Sequence, residues 1–171
     1  MRKLLFFAGL LALAPSLLAK TPPIPEGWRM PRPSELTMYQ EFRNRSPVQY
    51  LGVSGDFNGD GFPDVARLLV SKDEKRLGLV VTFGRSDGVP RHLVLDRWEV
   101  QSLTSIGIDE QPKGVFNIVC RERDMGYDWC RPGEATVFRI ENDSIVGFFD
   151  EKSSFVYLWR GTNFHKVWTS D

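Results

Sequence analysis

The chain has 171 residues, with 22 Lys and Arg against 22 Asp and Glu and two cysteines. Loss of Arg2 and Lys3 with an N-terminal leader takes the basic count to 20, a net charge of about −2. A balance this near neutral lacks the clustered cations that neutralise phosphates, and it excludes non-specific nucleic-acid binding.

Met1-Arg2-Lys3 precedes an apolar run from Leu4 to Ala14, a break at Pro15 and a small residue at Ala19. This is the build of a secretory signal peptide over residues 1–19, cleaved after Ala19. The run is shorter than the roughly 20 apolar residues that span a bilayer, and proline interrupts it. Lys20 stands where a lipoprotein would carry cysteine, and no later segment is apolar enough to cross a membrane. The expectation is a periplasmic or secreted protein that is not membrane-embedded. About 150 residues then remain, enough for one domain with a real core.

Residues 20–33 contain Pro22, Pro23, Pro25, Pro31 and Pro33, which predict an extended leader without regular structure. Ser34 is the expected N-cap of a helix over Glu35–Arg45, with Leu36, Tyr39 and Phe42 on one face and Pro47 barring continuation. Beyond it come short apolar or alternating runs divided by Gly, Asp and Asn. Residues 50–54, 65–71, 77–83, 92–95, 115–119, 135–140, 144–149, 155–159 and 164–169 read as strands. Turns are expected at Glu141-Asn142-Asp143 and at Arg160-Gly161-Thr162-Asn163, the latter closing the final hairpin. The predicted fold over 34–171 is one mainly β domain, an antiparallel sandwich or partly open barrel with one short N-terminal helix.

The strongest chemical signal is Asp56, Asn58, Asp60 and Asp64 at positions one, three, five and nine of a single loop. Oxygen-only donors suit a hard cation such as Ca2+, and the carbonyl of Phe62 at position seven adds a backbone donor. Gly59 and Gly61 supply backbone angles that other residues resist. An EF-hand requires a glutamate at position twelve and flanking helices. Here position twelve is Arg67, inside an expected strand.

Gly55-Asp56-Phe57-Asn58-Gly59-Asp60-Gly61-Phe62-Pro63-Asp64-Val65-Ala66 resembles the strand-loop-strand calcium loop of FG-GAP and VCBS repeats, and Phe83-Gly84 ends the strand pair as such repeats often do. The loop occurs once, and one copy cannot make a propeller.

Export also predicts that Cys120 and Cys130 pair, closing a loop that the chain-entropy model values at about 2 to 3 kcal/mol. Zinc is the rival reading, but two lone cysteines without nearby histidines supply too few ligands. The order of calcium loop, cysteine loop and the terminal stretch Ser154–Phe164 with Ser170-Asp171 resembles small periplasmic proteins of proteobacteria. Some of those are similar to calcium-binding inhibitors of invertebrate-type lysozyme, and relatives are immunity proteins against secreted, peptidoglycan-cutting effectors. The Ser-Gly-Tyr element of the inhibitors has no counterpart here beyond Gly126-Tyr127.

The resemblance implies a protein partner, a peptidoglycan hydrolase or secreted effector. The sequence offers no persuasive set of nucleophile, general base or open metal site, so no catalysis by this chain is expected. Within the cysteine loop, Arg121, Arg123, Tyr127 and Trp129 have the composition of a binding hot spot. The ordinary alternative for the Arg121–Asp124 run is a solvated face. His92 and His165 fall in expected strands, where surface or packing roles outweigh catalysis. Asp109 and Glu110 read as a solvated loop, because adjacent side chains in an extended chain diverge. Tyr157, Trp159, Phe164 and Trp168 alternate as core positions more than as a recognition patch. A second function class, an exported calcium-stabilised scaffolding or adhesion module without an enzyme partner, uses the same loop.

Overall fold

The computed structural model describes residues 22–36, 43, 46, 48–117 and 137–170. In chain order these hold β1 (Trp28–Arg29), α1 (Pro33–Leu36), β2 (Gly52–Gly55), β3 (Asp64–Ser71), β4 (Arg76–Phe83), β5 (Arg91–Glu99) and a 3-10 turn (Val100–Thr104). Then follow β6 (Ile106–Gln111), β7 (Gly114–Asn117), β8 (Val137–Ile140), β9 (Ser144–Phe149), β10 (Ser154–Trp159) and β11 (Phe164–Ser170). The fold is mainly β with antiparallel sheets and is not a closed barrel.

In the first sheet β3 pairs β4 along one edge, while its other edge is shared by β2 and β1; β5 lies beyond β4. The second sheet runs β11-β10-β9-β6, and β7 pairs β8 as a separate ribbon. Alternation explains how the sheets meet. Ala66, Leu68 and Val70 of β3 and Leu77, Leu79, Val81 and Phe83 of β4 share one core with Ile106, Ile108, Ile145, Phe155 and Tyr157 of the second sheet. The opposite face of the second sheet buries Val156, Leu158 and Val167 with Ile140 of β8. Residues before β2 stitch the sheets together, since Leu51 O accepts from Leu68 N and Tyr50 O from Ile108 N, each at 2.9 Å.

Several expectations need correction. The leader does contain regular structure: Trp28 and Arg29 pair with Ser71 and Val70. The ring of Trp28 lies over Gly78, where an added Cβ would stand 2.3 Å from it. The helix starts at Pro33, ahead of Ser34, so Arg32 is the capping residue. Its N–H donates to Glu35 Oε2 at 2.6 Å, half of a capping box. Residues 37–42, 44 and 45 of the expected helix lie outside the described residues. Asp109 and Glu110 sit on β6 rather than in a loop, opposite Val146 and Ile145. Both expected turns are present: that at 141–143 joins β8 to β9, which lie in different sheets, and that at 160–163 closes the last hairpin, with Arg160 N donating to Asn163 O at 2.8 Å.

Candidate metal centre

Pairing of Gly55 with Asp64 closes the base of a loop formed by residues 56–63. Its anchor is Phe57, whose ring is fully buried in the shared core. From there the chain curls tightly, with φ of 76° at Gly59 and 84° at Gly61, values a Cβ resists. The polar side chains bond inward to the loop's own amides. Asp56 Oδ1 accepts from Gly59 N at 2.8 Å and Oδ2 from Gly61 N at 3.0 Å. Asn58 Oδ1 accepts from Asp60 N, and Asp60 Oδ1 from Phe62 N, both at 2.9 Å. Asn58 Nδ2 in turn donates to Asp60 Oδ2 at 2.9 Å. Each of these contacts uses one of the two lone pairs of its oxygen.

Asp64 behaves differently. It is fully buried, with Oδ2 accepting from Phe57 N at 3.1 Å and Oδ1 from Gly84 N at 2.9 Å. Burial pushes its pKa up to about 6, and nearby Asp60 pushes the same way, against the backbone amides of Gly84, Phe57 and Asn58 that favour the charged form. Gly84 is required by closeness, because a Cβ there would stand 2.3 Å from Pro63 O.

Two residues of the turn between β8 and β9 also touch the loop. Asp143, in the turn before β9, accepts from Asp56 N through Oδ2 at 2.9 Å. Asn142 covers Gly59 so closely that a Cβ would lie 2.7 Å from its amide nitrogen. The turn was legible in the sequence but these contacts were not, since the Asp56–Asp143 bond spans 87 positions.

The donor set fits a hard cation in chemistry: it is all oxygen, it is acidic, and it includes a buried carboxylate with no cation beside it among the contacts above. Among the described residues no three His, Cys, Asp or Glu side chains gather as a metal cluster. Asp56, Asn58 and Asp60 bond amides within the loop, whereas Asp64 bonds Phe57 N and Gly84 N at the loop's base. Phe62, expected to offer its carbonyl, is 38% exposed near the end of the loop, with its Cβ beside Gly84.

The other candidates separate from this site. His92 on β5 is exposed, with Nδ1 3.0 Å from Thr82 Oγ1, and His165 on β11 is exposed. Tyr157 is buried, while Trp159, Phe164 and Trp168 pack against the shared core. Cys120, Cys130, Arg121, Arg123, Tyr127 and Trp129 lie outside the described residues. The chain matches no protein-family model, no curated protein and no solved structure.

Proposed function

We propose that this chain is an exported calcium-binding protein whose loop at 56–64 holds the ion and steadies one end of a β-sandwich that engages a protein partner. The observation that carries the reading is the curled loop itself. Asp56, Asn58 and Asp60 are already oriented by amide hydrogen bonds, so little chain entropy remains to be lost when an ion binds. Asp56, Asn58, Asp60 and Asp64 would hold the ion with the Phe62 carbonyl. An ion there offsets repulsion among three carboxylates and favours the charged form of Asp64.

Inhibition of a lysozyme-like cell-wall hydrolase, as an immunity protein against a secreted effector, is the partner function the sequence resemblance suggests. The exposure of Phe62, on the closing side of the loop, supports a contact surface beside the ion site.

The test is thermal unfolding of the protein and of Asp60→Ala in calcium and in chelator. A ligand that binds only the folded state raises stability by RT ln(1 + [L]/Kd), about 2.7 kcal/mol at a hundredfold excess over Kd. Calcium raises the midpoint of the unsubstituted protein and leaves Asp60→Ala nearly unmoved. Equal midpoints in calcium and chelator for the unsubstituted protein refute the reading. Slowing of a cell-wall hydrolase in calcium then separates inhibitor from scaffold.

A further inference from the structure

A loop between two strands of one sheet needs no help from the other sheet to close. Here it receives help at two points. Asp143 Oδ2 accepts the amide N–H of Asp56, the first residue of the loop, at 2.9 Å. The Asp143 side chain also lies against Gly55, where an added Cβ would be 2.9 Å from Asp143 Cβ and 3.2 Å from Oδ2. Asn142 sits over Gly59 with its whole amide group, at 2.7 to 2.9 Å from the position of a Cβ. Gly55 and Gly59 are therefore the places where the turn before β9 seats on the loop.

We infer that Asp143 is a positioning residue for the cation loop: by holding the Asp56 amide it sets the direction of the first ligand and makes cation affinity depend on the second sheet. This rests on the calcium reading above. Asp143 directs Oδ2 at the backbone N–H of Asp56, so the role inferred for it is to orient a ligand. Linkage makes the effect mutual. An ion that stiffens Asp56 tightens the contact with the β8–β9 turn, and the seated turn presents Asp56 ready to bind.

The experiment measures calcium affinity calorimetrically for the full chain and for Asp143→Asn, Asp143→Glu and Asp143→Ala, with unfolding in chelator recorded in parallel. Asparagine keeps a carbonyl oxygen where the Asp56 N–H points, so it binds calcium within about threefold of the unsubstituted chain. Glutamate keeps the charge but moves the oxygen by one methylene into the space beside Gly55, and alanine removes the acceptor. Both weaken binding about tenfold, the size of one net hydrogen bond.

A plain charge effect predicts the reverse order, with glutamate near the unsubstituted value and asparagine weakened; that result overturns the inference. So does unchanged affinity in Asp143→Glu, whether or not Asp143→Ala folds, while the calcium reading stands. Absence of calcium binding by the unsubstituted chain removes the reading and the inference together.

Discussion

At the scale of single residues, Asp64 carries the loop's chemistry in its least exposed position. Its folded pKa of about 6 lies above the ordinary value of 3.8 because burial penalises the carboxylate. The folded protein therefore binds this proton more tightly than the unfolded chain. The stabilisation is fully present below pH 3.8 and is lost as pH rises through about 6. In chelator, stability at pH 7 is lower than at pH 4 by on the order of 2 kcal/mol from this group alone. Urea unfolding at intervals between pH 4 and pH 7 measures it, with Asp64→Asn as the control that removes the titrating group. A slope that persists undiminished in the variant assigns the effect to other carboxylates. Calcium works against the slope, since the ion favours the charged form. The ligand spacing made Asp64 legible as a donor. Its burial was not legible, because that depends on Phe57 entering a core assembled from both sheets.

At the scale of elements, the nine expected strands are all present in whole or part among the described residues, because apolar runs bounded by Gly, Asp and Asn mark them directly. The two missed strands failed for physical reasons. β6 reads Ile-Gly-Ile-Asp-Glu-Gln, so its apolar signal ends halfway while its ladder with β9 continues to Gln111. β1 is two residues among prolines, and it is held by side chains as much as by pairing. Arg29 forks onto Glu35 at 2.6 and 2.8 Å, holding that carboxyl down at about pKa 2, and Trp28 fills the space over Gly78. Gly78→Ala therefore expels Trp28 from its seat, as expected where a strand glycine marks a close approach. We expect a loss of about 1 to 3 kcal/mol. Amide exchange should accelerate at Lys72, whose N–H bonds Gly27 O at 2.9 Å, while the β3–β4 ladder stays protected. Unchanged exchange at Lys72 would show that Trp28 does not hold the strand.

For the whole molecule the question is what keeps two open sheets in register along the edges that carry β5 and β11. A slip in the β4–β5 pairing sets Leu79 opposite Asp96 and Val80 opposite Val94. The bulge at Leu95 turns Asp96 and Trp98 toward the core side. Nothing in the local pattern announces that inward carboxylate; it becomes sensible only when the second sheet arrives. There Asp96 Oδ2 accepts from Tyr157 OH and from Lys166 Nζ, each at 2.8 Å. The ammonium lies 4.0 Å from the Phe155 ring centroid and 4.9 Å from that of Trp168. Burial, then the adjacent Asp96 charge, raises the Tyr157 pKa, so the phenol stays a donor. Both charged groups are about three-quarters buried, with side-chain exposures of 23% for Lys166 and 27% for Asp96. Removing one member strands the other. Asp96→Asn leaves an ammonium held by aromatic faces and should cost about 2 to 4 kcal/mol. Lys166→Met leaves a carboxylate that still has Tyr157 and should cost less. The double variant should cost less than the sum of the two, with a coupling energy of about 1 to 2 kcal/mol from a urea-unfolding cycle. Strict additivity would mean that the apolar core alone aligns the sheets, with the ion pair a bystander.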